Sequence, residues 1–311
     1  MGTGYRSYAV VTGLRSPRHL VVDKGGNLLV AEDGRGSVRR LVLQENGDAT
    51  NHGVALSADG KTLFTSSLAS VTAYPYDAAT GQVGTGKVIV SGMSNTVVGR
   101  SMIKTFSINA CTRAACDYTS GGEVLGWGLR NIVGVGGDPA YGGFRSVENS
   151  LDDMRMDDRD VHVDNPAKRF SYHGILNATT NARKGLNFGY PSCFGAWDPS
   201  TLGQSSLQVG QLVRPDGVPA ASDCAQSATG RLHFHAHTAP LDIKFNANRT
   251  AAYISFHGSW NRNPADGYRV MRVDFKEDQP IADSTSNTAQ IPVMENPNTR
   301  SCPRAASDRS A

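Results

Sequence analysis

The segment AAYISFHGSWNRNPADGYRVMRVDF runs from Ala251 to Phe275 and reads as strand, connection, strand. Tyr253, Ile254 and Phe256 mark the first strand; Val270, Val273 and Phe275 mark the second. Aromatic and β-branched residues suit a half-buried pleated surface. The connection carries His257, Trp260, Asn261 and Arg262, then Asn-Pro-Ala-Asp-Gly, then Tyr268 and Arg269. Reversals between strands are usually small and polar. One that holds a Trp, a His and two Arg has a task besides turning the chain.

The same phrase recurs along the sequence: an apolar strand, a turn with Asp or Asn and Gly, a second apolar strand. The copies are RHLVVDKGGNLLVAE, HGVALSADGKTLFTSS, RNIVGVGGDPAYGGFRSVENS and LDIKFNANRTAAYISFHGSW. Period-two alternation indicates strands with one buried face, and the turn residues indicate hairpins. A returning hairpin phrase predicts the blades of a β-propeller, with further blades of weaker signature between the copies. The alternative is a β-sandwich of several hairpins. In a propeller, the ends of equivalent strands converge. Glu32-Asp33, Ser66-Ser67, Glu148-Asn149-Ser150 and the His257–Trp260 stretch would then face one pocket.

Composition narrows the function classes. The chain has 311 residues, 34 Gly and 14 Pro, which suits short strands and tight turns. A net charge of +3 and a pI near 8.6 are too weak for a nucleic-acid or acidic-membrane binder. No stretch is apolar enough to span a bilayer. The start, MGTGYRSYAVVTGL, lacks the apolar core of a signal peptide. Five Cys and the sequons at Asn177 and Asn248 nevertheless suit an oxidising compartment. Cys193 and Cys224 could close a loop; Cys111 and Cys116 could pair locally or stay free; Cys302 has no partner left.

The expected pocket is cationic and aromatic. It draws on Arg18, Arg130, Arg262 and Arg269, with His52, His237, His257 and Trp260. Guanidinium groups bind carboxylates through two parallel hydrogen bonds, and a flat ring stacks on Trp. The implied ligand is a flat polyanion or an acidic sugar, and the histidines are candidate proton acceptors. The acidic run SVENSLDDMRMDDRDVHVDNP lacks the EF-hand order and reads as a solvated loop. His233 and His235 alternate on a strand and lack a third zinc ligand at the usual spacing. No nucleophile elbow, phosphate loop or C-x-x-C pair occurs.

Several stretches together resemble the fungal pyrroloquinoline-quinone-dependent pyranose dehydrogenases, relatives of the soluble quinoprotein glucose and sorbosone dehydrogenases. They include GLRSPRHLVVDKGGNLLVAE, GRSMIK, GGEVLGWGLRNIVGVG, GGFRSVENSLDD, DNPAKRFSYHG, LNFGYPSCF, AHTAPLDIKF and FHGSWNRNPADGYRV. The resemblance runs from about Gly4 to Pro303. It implies an all-β, six-bladed propeller over residues 1–311, holding the quinone (PQQ) and Ca²⁺. Arg130 and Asn131 would bind the cofactor, and the main-chain carbonyls of Ser150 and Leu151 the calcium. His237, His257, Trp260 and Arg262 would surround cofactor or substrate. A sugar would lose hydride to the quinone while a His takes the hydroxyl proton. Electrons would leave to a haem protein or another acceptor. The family context also implies secretion and a Cys193–Cys224 disulfide.

The sequence departs from the family at two junctions and at its end. In the family a long segment with an H-x-T-R-T motif, expected to hold the catalytic His, separates two pieces that SGMSNTVVGRSMIK here joins directly. A shorter gap precedes Asn51, and the last blade stops after about residue 303. His52, His237 and His257 remain as substitute bases. The departures set two alternatives beside the dehydrogenase: a propeller that only binds sugar or cofactor, and a Ca²⁺-dependent propeller lactonase.

Overall fold

The structure, a computed structural model, describes residues 13–33, 36–40, 53–93, 101–138, 141–204 and 206–296. His52, Cys302 and the 94–100 junction lie outside them. The sequence predicts one domain over residues 1–311. The contacts within the chain group into two compact units, Ser7–Arg100 with Lys104–Glu123, and Val124–Ala311 with Met1–Arg6 and Ser101–Ile103.

In the N-terminal unit the first two hairpin phrases form as read. Pro17–Val22, Leu28–Glu32 and Ser37–Arg40 make one antiparallel sheet. Its first turn is organised by Asp23, whose Oδ1 accepts the N–H groups of Gly25 and Asn27 at 2.9 and 2.8 Å. Gly26 supplies the positive φ of +80° that this turn needs. The second sheet orders Val54–Leu56, Thr62–Ser66, Val71–Pro75 and Lys87–Ser91, with Cys116–Asp117 at its edge. Leu29, Ala31, Val54, Leu63 and Tyr76 form one core of this unit, and Ala73, Ile89, Val90 and Cys111 a second. The Tyr76 hydroxyl donates to Asp23 Oδ2 at 2.6 Å, which ties the turn to that core.

The C-terminal unit contains the other two phrases. Asn131–Gly137, Gly143–Asn149, Lys168–Ile175 and Leu232–Phe234 form one antiparallel sheet. Pro240–Phe245, Ala251–Phe256 and Arg269–Lys276 form the next, and both Gln279–Pro280 and Ile291–Glu295 pair with its third strand. Alternate residues face inward, so Phe170, Phe234, Ile254, Phe256, Val273 and Phe275 share one core. Phe234 meets Phe170 and Phe256 edge to face at 6.2 and 5.3 Å between ring centres. Burying each such side chain contributes about 1.5–3 kcal/mol. Phe234→Ala would cost about 3–5 kcal/mol.

Met102–Thr105, Glu123–Trp127 and Leu186–Asn187 make a fifth sheet, whose short strands gave little repeat signal. The described residues thus build five sheets of three or more strands, with two-stranded ribbons at Arg155–Met156/Arg159–Asp160 and Phe194–Gly195/Leu212–Val213, where the resemblance implies six blades. Among the described residues α-helix is confined to Ile108–Cys111, and a 3₁₀ turn forms at Pro199–Leu202. Two disulfides form, Cys193–Cys224 as expected and Cys111–Cys116, which the sequence left open.

Candidate functional site

The strand ends at one side of the C-terminal unit carry a cluster of charged side chains. Gly143–Asn149 finishes there, and Asn131–Gly137 and Lys168–Ile175 begin there. Glu148 organises the corner. It is 3% exposed. Its Oε1 accepts the Arg130 main-chain N–H at 2.6 Å, and its Oε2 accepts from Arg169 Nε at 2.8 Å. The Arg130 guanidinium, left to the site, donates to Ser150 O at 2.5 Å and to Asp152 Oδ2 at 3.1 Å. Lys168 lies beside them, buried, with its Nζ 3.5 Å from Leu151 O. Burial holds its ammonium down to about 8; Asp152 and Glu148 partly oppose that shift and Arg130 adds to it.

The 257–268 connection closes the other side. Its neck is pinched where a side chain on Gly267 would meet the Gly258 Cα at 2.4 Å, so both positions must be glycine. The Ser259 N–H donates to Asp266 O at 2.7 Å, and the Asp266 N–H returns to Ser259 Oγ at 2.6 Å. Held this way, Asn261 donates from Nδ2 to Asp152 O at 2.6 Å, and Arg262 donates from Nη1 to His235 Nε2 at 2.8 Å. Arg262 also lies 3.4 Å from Asp164 Oδ1. His235 presents its other ring nitrogen to Asp266, which also pairs with Arg269 at 3.3 Å. Burial alone would raise Asp266, but the His235 hydrogen bond and Arg269 outweigh it and hold the carboxyl at about 2. The Arg content of this reversal is thereby explained: Arg262 and Asn261 tie it to His235, Asp164 and Asp152, and Arg269 pairs with its own Asp266.

Two histidines meet at the same place. His237 Nε2 donates to the His162 carbonyl at 2.5 Å, which leaves Nδ1 as an acceptor. Burial lowers His237 to about 4, so its ring stays neutral at ordinary pH. The His162 ring places Nδ1 2.6 Å from Asp160 Oδ1 and Nε2 3.2 Å from Asn261 O.

Of the residues singled out in the sequence, Arg130, Ser150, Leu151, His237 and Arg262 gather in this network. Asn131 is exposed at the start of its strand. His257 is exposed; its ring lies 6.1 Å from that of Tyr268 and its Nδ1 3.2 Å from Gly258 O. Trp260 is 79% exposed, its ring open to solvent. Arg18 belongs to the N-terminal unit and pairs with Asp33 at 2.9 Å. The acidic run is not a solvated loop throughout: Asp152, Asp160 and Asp164 pair with Arg130, His162 and Arg262. Sequence reading missed Lys168, Arg169 and His162. One signal was available. Gly13-Leu14-Arg15 and Gly128-Leu129-Arg130 repeat, and in each case a buried Glu at the end of the second strand takes the Arg N–H.

Blade-like antiparallel sheets, almost no helix and a charged site made from strand ends define a β-protein of the propeller class. The TrAA12-like family matches residues 1–98 and 94–309, and the chain belongs to that family. It is 36% identical over 361 residues to a pyrroloquinoline quinone-dependent sugar dehydrogenase of Hypocrea jecorina (strain QM6a), covering 96% of this chain and 81% of the relative. It is similar to a Trichoderma reesei carbohydrate-active enzyme of family AA12 (iodide structure), with TM-score 0.87 and 35% identity over 97% of this chain and 88% of that one. It is also similar to the holo form of the pyranose dehydrogenase PQQ domain from Coprinopsis cinerea, with TM-score 0.83 and 30% identity over 94% and 85%. The family match breaks at 94–98, where the sequence joins two family segments directly. An alignment of 361 positions to a 311-residue chain also requires segments that this chain lacks.

The donor set suits PQQ better than calcium. A buried ammonium and the partly exposed Arg130 guanidinium, with Arg262 close by, match a flat molecule with several carboxylates. The Ser150 and Leu151 carbonyls are of the oxygen type that Ca²⁺ takes. Here, however, Ser150 O is held by Arg130 and Leu151 O faces Lys168, so these carbonyls as arranged do not fit a metal. No cluster of three His, Cys, Asp or Glu among the described residues offers another metal site.

Proposed function

We propose that this chain binds PQQ at the charged end of its C-terminal unit and is a PQQ oxidoreductase acting on sugars. The observation that carries the proposal is the concentration of Lys168 and Arg262 around a buried, neutral His237, with Arg130 beside Lys168, in a chain whose relatives are PQQ-dependent sugar dehydrogenases. When bound, PQQ supplies the acceptor for the hydride of a sugar C–H. Arg130 and Arg262 hold its carboxylates. Asn131, Trp260 and the exposed His257 are secondary candidates for cofactor contact, Trp260 by stacking; Arg18 belongs to the N-terminal unit and is not among them. His237 Nδ1 takes the hydroxyl proton. A positioned base of this kind typically contributes about 10²–10⁴-fold.

A second reading, binding with little turnover, is favoured by the break in the family match at 94–98. The segment expected to carry the catalytic His would fall there. The test is steady-state oxidation of common pyranoses by the purified protein, with PQQ and an artificial electron acceptor, with and without Ca²⁺. We expect turnover well below ~10 per second, an ordinary enzyme rate, and a further fall in His237→Ala. Turnover near that rate, unchanged in His237→Ala, refutes His237 as the base. Lactone hydrolysis without PQQ would favour the lactonase instead.

Two disulfides and two sequons support an extracellular site of action. Asn177 and Asn248 are both exposed, as glycan acceptors must be. Natural electron acceptors, a haem protein among them, follow from the resemblance alone. No helix among the described residues is long and apolar enough to cross a membrane.

A further inference from the structure

Three cationic side chains are buried among the described residues: Arg145, Lys168 and Arg169. Two are ion-paired. Arg145 meets Asp278 at 2.5 Å and lies over the ring of Tyr172 at 4.9 Å. Arg169 holds Glu148 Oε2 and donates to Phe188 O at 2.6 Å. Lys168, 2% exposed, has only the Leu151 carbonyl, at 3.5 Å. The nearby anions are engaged elsewhere: Glu148 by Arg130 and Arg169, and Asp152 by Arg130. A buried ammonium without a close anion is costly. Elsewhere this chain matches its buried cations with anions. The exception stands at the site, beside the two carbonyls and the Arg130 fork.

We infer that Lys168 is an anion anchor of the site, and that a carboxylate of the bound cofactor is its missing ion-pair partner. This rests on the PQQ reading above and deepens it, because it assigns a ligand contact to a residue that no motif marks. The anchor exchanges stability for binding. In the ligand-free protein its ammonium is buried and under-compensated; in the complex it is paired. Replacing it by an apolar side chain of similar length therefore relieves a cost in the free protein and removes an attraction in the complex. A lysine kept for packing or for the Leu151 hydrogen bond predicts the opposite sign in the free protein.

The experiment compares wild type, Lys168→Met and Lys168→Arg. PQQ affinity is measured by equilibrium dialysis, and thermal midpoints are taken without ligand. We expect Lys168→Met to bind PQQ on the order of 30-fold more weakly or worse, as removal of one half of a buried charge pair does. We expect its ligand-free midpoint to rise by about 2–4 °C. Lys168→Arg, which keeps the charge, should retain most of the affinity. If wild type binds PQQ and Lys168→Met binds it equally well, the anchor is refuted and the PQQ reading survives. If Lys168→Met is destabilised without ligand, the lysine is structural and the anchor is likewise refuted. If wild type binds no PQQ, the reading of the site fails and this inference fails with it.

Discussion

Two hairpins of this chain open with the same three residues and then part ways. Gly13-Leu14-Arg15 and Gly128-Leu129-Arg130 each begin with a glycine at positive φ, +74° and +67°. Each ends against a buried glutamate, Glu32 or Glu148, which accepts the arginine N–H at 2.5 or 2.6 Å. This joins the start of one strand to the end of the next. In the N-terminal unit the side chains around the motif remain on the surface, with Arg18 and Asp33 an exposed pair. In the C-terminal unit Arg169 is buried behind the glutamate, Lys168 beside it, and Arg130 is turned toward Ser150 and Asp152. The local device is the same. What distinguishes the candidate site is the buried charge supplied by the third strand, Lys168–Ile175.

The largest expected effect follows from that added charge. Glu148→Gln leaves Arg169 buried without its anion, which should cost about 3–5 kcal/mol. Urea unfolding would show it, and a loss below about 1 kcal/mol would mean that the network carries little. The disulfides come next. Cys193–Cys224 spans 31 residues and Cys111–Cys116 only 5. Loop entropy predicts that serine pairs cost about 3–4 kcal/mol at the first and about 2 kcal/mol at the second. Equal losses would assign the effect to native packing rather than to the unfolded chain.

Acid should distinguish the two units by a smaller slope. Burial lowers His173 to about 3 and His233 to about 4, both in the C-terminal unit. Among the described residues the N-terminal unit buries no histidine. Each lowered value lies below the ordinary one near 6.5, so the unfolded chain takes up these protons first. Stability should therefore fall as pH drops from about 6.5 to 4, by about 1.4 kcal/mol per pH unit for each histidine. Hydrogen exchange at pH 7 and pH 5 should show strand 168–175 losing protection while strand 62–66 retains it. The smallest effect is Arg15→Ala. The motif uses this residue's main-chain N–H, and its side chain is exposed, so stability should change by less than about 0.5 kcal/mol.

Much of the fold was legible because the hairpin turns carry their own chemistry. Asp23 and Gly26, Asp59 and Gly60, and Asn246 with Arg249 each fix a reversal through local hydrogen bonds or positive φ. The fifth sheet was not legible, because its strands are short and it pairs Gly126-Trp127 in parallel with the distant Leu186-Asn187. Of the site, Arg130, His237 and Arg262 could be named from motif and residue type. Lys168 and Arg169 could not. In DNPAKRFSYHG they read as two ordinary charges at the start of a strand, and only the register with Phe234 and His233 buries them. His162 was hidden inside a run that looked acidic and solvated. Its partners, Asp160 and the Asn261 carbonyl, meet only when a loop 99 residues away folds back.

The central claim is that the charged strand ends of the C-terminal unit, and not their counterparts at Glu32, hold PQQ. A crystal structure of the protein soaked with PQQ tests this most directly. The account predicts cofactor density in contact with Arg130, Lys168 and Arg262, with the Arg130 guanidinium moved from Ser150 toward a carboxylate. PQQ bound elsewhere with these three side chains untouched, or no density at saturating PQQ, would contradict it.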